Sequence, residues 1–341
     1  MVPKRPSSDQ NLEAIHFTSG VHGSGARWHD PHGCGDAVEE FPDDPSQLHR
    51  PLIQRIVSES LGAVSIAAAQ SAQCGAHEAM AREFAGKVVV VAGGSRGIGR
   101  GIAAAFAAEG AQTVLVALSQ ANLEAAADGI ARSTQIRPDI CAADLRQEHG
   151  CEAVFRLVSE RHSRCDILVN SAGATRAGAF LDLSEDAWHD GFALKFSGCV
   201  RLCCLFWPLL RTARGHVVNI IGGAARTPDP EFLIGGSVNA AMHNFTKGLS
   251  GLGKRDGINV NAILPGLTET DRVGQLFKQR AQASGQSVDE ERAAQIAKEG
   301  LVRLGKPEDI AALALFLCSE RARHIQGTAI AVDGGATPGV Y

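Results

Sequence analysis

Four consecutive apolar residues, Val88 to Val91, carry no polar alternation, the pattern of a parallel strand covered on both faces. Directly after them Ile98, Ile102 and Phe106 recur at helical spacing, and Gly110 stands where a left-handed residue would end that helix. The same strand-then-helix unit repeats along the chain. Thr113 to Val116 reads as a second strand, and a third leads into Asp144. Asp166 to Val169, Val217 to Ile221, Asn259 to Leu264 and Ala329 to Val332 complete the set. Helices are expected over about Ala187 to Leu210 and Val238 to Leu252, and the last begins in RLGKPEDIA, Arg303 to Ala311. Strands alternating with helices at this spacing predict an α/β fold built on a doubly wound parallel sheet.

Between the first strand and helix lie Gly93, Gly94, Gly97 and Gly99. Glycines let the backbone turn tightly there, and the free N–H groups and positive end of the helix can then receive a pyrophosphate. A bare strand-to-helix turn without a ligand is the plainer alternative, because a glycine pattern alone is a weak signal.

The 341 residues suffice for one large α/β domain or two small ones, and 45% hydrophobic content supplies a substantial core. A formal charge of -4 gives no general reason to expect a nucleic-acid partner. The longest weakly polar run ahead of the first strand, Leu61 to Ala69, is too short and alanine-rich to cross a bilayer, so no membrane partner is expected. Nine cysteines without a C-x-x-C pair suggest neither a disulfide framework nor a zinc knuckle, and a reduced cytoplasmic setting is expected.

Residues 1–79 differ in character from the remainder. They hold six of the twelve histidines and ten acids against five Lys/Arg, with many Gly and Pro before Pro51, which predicts a disordered stretch. A helix is possible over Leu52 to Ala69, and His29, His32 and Cys34 lack a fourth ligand for a metal site. No signal or transit peptide is legible. Met80 lies seven residues before the first strand, so the expected division is an extension at 1–79, dispensable or not native, and a single domain at 80–341.

The spacing Gly93-x3-Gly97-x-Gly99 resembles the coenzyme turn of the short-chain dehydrogenase/reductase family, and further resembling segments follow in order from about Phe84 to Gly335. That resemblance implies a single Rossmann-type domain. It also implies nucleotide contacts from Gly93, Ser95, Arg96, Gly97, Ile98 and Gly99, and an adenine neighbour in Asp144 of AADLR. Asn170-Ser171-Ala172-Gly173 resembles the segment that braces the sheet and lines the cofactor, with Asn170, Ala172 and Gly173 counted as cofactor residues. Pro265-Gly266 with Thr270 resembles the segment that holds the nicotinamide carboxamide. After the second strand, an acid would select NAD and a basic residue NADP. Val116 to Asn122 offers neither, and Leu118 stands where many NADP-using relatives have arginine. Arg96 can reach a 2'-phosphate, which leans the expectation to NADP while leaving NAD open.

Members of that family use an Asn, Ser, Tyr, Lys set in which tyrosine moves the proton and lysine lowers its pKa. In register, the serine position falls on Gly222, the tyrosine and lysine positions on Gly235 and Asn239, and the asparagine position on Lys195; Tyr341 is the sole tyrosine. Two readings follow. One is an NAD(P)-dependent oxidoreductase of carbonyls or alcohols with a different proton donor, the candidates being Lys195, paired with Asn239, then His243 and Ser237. The other is an inactive dinucleotide-binding scaffold or subunit. Lys195 and Asn239 look like an exchange of residue types between two helices, so that the amine enters the cleft from the opposite side. The same helices resemble the family's association helices, implying a homodimer or homotetramer. Leu267 to Gly300 resembles the variable substrate lid; its Arg272, Lys278 and Arg280 read as a solvated face before an anion site.

Overall fold

The structure, a computed structural model, describes residues 82–338, so the readings made for residues 1–79 and the position of Tyr341 lie outside the described residues. Seven parallel strands form one sheet in the order β3-β2-β1-β4-β5-β6-β7. They are β1 (Val88–Ala92), β2 (Gln112–Ala117), β3 (Asp139–Ala142), β4 (Ile167–Asn170), β5 (His216–Ile220), β6 (Asn259–Pro265) and β7 (Ala329–Val332). The unbroken apolar run is explained by two cores. Val88 and Val90 face a layer made by α3 (Glu148–His162), α5 (Gly198–Ala213) and α6 (Leu233–Asp256), with Val154, Phe206 and Met242 among its buried side chains. Val89 and Val91 face α1 (Gly97–Ala108), α2 (Gln120–Thr134) and α9 (Pro307–Leu317), through Ile102, Phe106, Leu123 and Ile310. A strand with water on neither side has no polar face to alternate with.

Strand order runs one way from β1 to β3 and the other way from β4 to β7, so a crevice opens at the carboxyl ends of β1 and β4. The register Val91↔Val169 and Ala92↔Asn170 brings the glycine turn level with the segment after β4.

The long helix expected over 187–210 departs from expectation at its centre. Glu185–Phe192 forms α4, Ala193–Ser197 is a π-helical turn, and α5 continues to Ala213. An added residue in a helical turn rotates everything before it relative to everything after it, and such turns are frequent at functional sites. By length and composition alone, this 29-residue run could cross a membrane. In the fold it packs beside the sheet, with Phe196 edge-on to Phe192 and Phe245 and the Trp207 indole donating to Asp256 at 2.7 Å. The aromatics of this run, Trp188, Phe192, Phe196 and Trp207, are all partly buried. The polar stretch after β6 forms α7 (Asp271–Ser284) and α8 (Val288–Lys298), the second opened by a Ser287/Glu290 capping box.

Candidate functional site

At the carboxyl ends of the strands lies a cleft of about 730 Å³, lined at one end by Gly93, Ser95, Arg96, Gly97, Ile98, Gly99 and Asp144. Gly93 has φ +80, and a Cβ on it would lie 2.8 Å from the Ala172 nitrogen, so only glycine lets the turn press against the segment after β4. Helix α1 starts at Gly97 with Arg96 as its N-cap, makes no side-chain capping bond and has no acid in its first turn. Helices α2, α4, α7 and α8 are capped by the side chains of Ser119, Ser184, Thr270 and Ser287. An uncapped helix end opening on a cleft whose floor admits no Cβ fits the pyrophosphate of a dinucleotide.

Asp144 is held by Arg146, Nε to Oδ1 at 2.9 Å, and Arg146 reaches on to Asp190 at 2.9 Å. The Arg146 hydrogen bond keeps the Asp144 carboxyl below the usual carboxylate range. Beyond β2 the cleft meets Leu118, 64% exposed, with no charged residue between it and Asn122.

The other end is built from side chains. Lys195 sits within the π-helical turn and lines the cleft, and its Nζ donates to the Asn239 Oδ1 at 2.6 Å. The same Asn239 oxygen accepts the Gly222 backbone N–H at 3.0 Å. The lysine stem runs so close to Gly173 that a Cβ there would stand 3.0 Å from Lys195 Cδ. Desolvation, with the nearby positive charge of Arg272 second, draws the Lys195 amine down to about 8. Asn239 itself is buried on α6. One turn earlier on that helix, the Phe232 ring covers Gly235 so closely that any side chain there would collide with it. Gly222 is also close-packed, a Cβ on it falling 2.7 Å from Asn239 Nδ2. Arg272, at the start of α7, lines this end and donates to the Thr175 carbonyl at 3.2 Å.

A family model described as enoyl-(acyl carrier protein) reductase matches residues 92–337. The oxidoreductase UcpA of Escherichia coli strain K12 is 31% identical over 257 residues, covering 75% of this chain and 96% of that protein. The chain belongs to the short-chain dehydrogenase/reductase family. The 3-oxoacyl-[acyl-carrier-protein] reductase FabG of Vibrio cholerae is 29% identical over 254 residues, covering 73% of this chain and 97% of that one. Among solved structures, the L-sorbose reductase of Gluconobacter frateurii, complexed with NADPH and L-sorbose, superposes with a TM-score of 0.74. It is 31% identical and covers 76% of this chain and 100% of that one.

Within this short-chain dehydrogenase/reductase fold, twelve of the thirteen expected nucleotide residues line the cleft: Gly93, Ser95, Arg96, Gly97, Ile98, Gly99, Asp144, Ala172, Gly173, Pro265, Gly266 and Thr270. Asn170 is not among them. Its amide turns into the core, donating to Asn219 Oδ1 at 2.9 Å, and Asn219 donates to Thr246 at 2.9 Å. It braces β4 against β5, because the pleat alternates side chains and at this position the side chain faces the core. His243 also stands apart from the cleft lining. It is half-buried one turn beyond Asn239, and burial followed by the charge of Arg226 holds its imidazole below the usual range. Ser237 is exposed on the opposite side of α6 from the buried Asn239. Sequence reasoning missed Phe232 and Arg146. The latter was legible as the basic residue two positions after Asp144; Phe232 was not, since nothing in the chain marks a ring that folds back over a glycine three residues on.

Proposed function

We propose that the protein is an NAD(P)-dependent oxidoreductase that interconverts a small carbonyl compound and its alcohol, with the Lys195 amine as the proton donor in place of a tyrosine. The observation that carries this reading is the Lys195 amine itself, anchored at 2.6 Å on Asn239 in the same cleft as the glycine turn. At neutral pH an amine with a pKa of about 8 is mostly protonated yet far more acidic than a free lysine, which suits a general acid. Asn239 accepts from both Lys195 and Gly222, so the amine is oriented and keeps N–H groups for a substrate oxygen. The glycine turn and α1 N-terminus would hold the pyrophosphate, Asp144 would flank the adenine, and Pro265, Gly266 and Thr270 would hold the carboxamide. When bound, the nicotinamide supplies or receives the hydride.

Arg96 supports a preference for NADP, being the cation on the cleft wall beside the glycine turn. A homodimer or homotetramer is part of the proposal, supported by the resemblance of the 185–213 run and α6 to the family's association helices; a monomer by light scattering would overturn it. The cytoplasm is the proposed setting, supported by seven free thiols among the described residues.

The scaffold reading keeps one observation in its favour, the Phe232 ring that fills the space over Gly235 and leaves no room for a tyrosine. Two measurements separate the readings. Titration with NADPH and NADH, followed by nucleotide fluorescence, is expected to show binding, and short ketones and aldehydes are expected to be turned over. Binding without turnover across the panel supports the scaffold, and no binding at millimolar concentration overturns both.

A further inference from the structure

The chemistry end of the cleft presents two cations and no paired acid. Lys195 and Arg272 both line it, from the π-helical turn and from the first turn of α7. Neither forms an ion pair with a carboxylate of the described residues. Two acids line the whole cleft: Asp144 is engaged by Arg146 at the far end, and Asp271 pairs with neither cation. The positive charge of Arg272 adds to the desolvation that lowers the Lys195 pKa. Arg272 also stands at the positive end of α7, where the helix dipole disfavours a cation. The Lys195 amine is desolvated while Arg272 is exposed on the cleft wall, and neither is matched by a carboxylate of the described residues. The guanidinium is nonetheless held in place by the Thr175 carbonyl, which uses one of its five donors and leaves the remaining fork free. Arg272 is exposed, as expected of a solvated lid face, and it also lines the cleft. Lys278 and Arg280 are exposed as well, Arg280 donating to Gln295 at 2.8 Å, and neither lines the cleft.

We infer that the substrate is a carbonyl compound carrying a carboxylate next to the reacting carbon, a 2-oxo acid or the matching 2-hydroxy acid, with Arg272 receiving the carboxylate and Lys195 facing the carbonyl oxygen. The inference rests on the oxidoreductase reading above. A planar guanidinium matches a carboxylate with two parallel hydrogen bonds, and a bound anion relieves the repulsion between the two cations. Arg272 is then a specificity residue that touches the substrate, and Lys195 keeps the proton role.

The test uses the full chain saturated with NADPH and two non-reducible probes, oxamate and its ethyl ester. Oxamate is expected to bind ~10- to 100-fold more tightly than the ester, the range for a charge-assisted pair. Arg272→Gln is expected to remove most of that difference and Arg272→Lys to restore part of it, with NADPH affinity the same in all three proteins. Retained NADPH affinity shows that the variants fold. Equal binding of acid and ester, or a preference untouched in Arg272→Gln, overturns the inference. Turnover of a neutral ketone with no preference for the acid also overturns it and leaves the oxidoreductase reading standing. Absence of NADPH binding overturns that reading, and this inference with it.

Discussion

The two ends of the cleft recognise by different means. At the nucleotide end the contacts are backbone: a glycine turn with φ +80 at Gly93, a helix start without a side-chain cap, and a segment after β4 packed within 2.8 Å of where a Cβ would be. At the other end the contacts are side chains drawn from three elements, Lys195 in the π-helical turn, Asn239 on α6 and Arg272 on α7. A site made of backbone depends on the absence of side chains, so its residues are constrained in place. A site made of long side chains depends only on where their ends meet, and Lys195 and Asn239 meet from opposite sides. That difference leaves the side-chain end freer to vary in sequence than the backbone end.

The largest effect is expected at the backbone end. Gly99→Val would drive a side chain into the Gly93 carbonyl, and NADPH binding should fall by more than ~100-fold with a lowered melting temperature, read by nucleotide fluorescence and circular dichroism. Binding that survives would mean the turn is not the nucleotide site.

Next comes Lys195→Met, expected to lower kcat by ~10²- to 10⁴-fold while leaving the NADPH dissociation constant alone. Unchanged turnover would strip the lysine of its role and make the two ends alike in their independence from side-chain chemistry.

The third expectation concerns pH. The folded amine titrates near 8, below the ordinary lysine value of 10.5, so the fold disfavours its charged form. The unfolded chain therefore binds more protons between pH 8 and 10.5, and this group's contribution to stability rises with pH across that window and is lost as pH falls through 8. Lys195→Met should accordingly be more stable than wild type at pH 7, by ~1–2 kcal/mol after allowing for partial solvent access, with the gap closing near pH 10.5 in urea titrations. Reduction by wild type should also slow as pH rises through about 8, where the donor loses its proton.

The smallest effect is expected from Arg96→Ala, ~10-fold weaker NADPH binding with NADH unaffected, a difference of about 1.4 kcal/mol. Equal losses for both nucleotides would remove Arg96 from cofactor selection.

Much of this was legible in the chain because the strands are buried on both faces and the glycine turn is a short, local device. Val88 to Val91 announced a central strand, and Gly93, Gly97 and Gly99 announced the turn, since each feature is decided by residues within a few positions of one another. Strand ends moved by a residue: β4 begins at Ile167 because the Asp166 carboxylate lies below the strand, accepting the Val88 N–H at 2.9 Å and pairing with Arg164. The pattern could not reveal that Asn170 turns inward to Asn219, because both asparagines belong to a polar network assembled from two strands and a helix.

From the sequence alone came the parallel α/β architecture, the glycine turn at its crevice and the residue types at each position: a lysine and an asparagine where other types were expected. Periodicity and turn chemistry are local, and local rules suffice for those. Only the tertiary structure decided that the lysine amine and the asparagine oxygen lie 2.6 Å apart, that Phe232 closes over Gly235, and that Arg272 joins the cleft while Lys278 and Arg280 do not. The first joins residues 44 positions apart and hangs on one extra residue in a helical turn, and no pattern along the chain records where two distant side chains end.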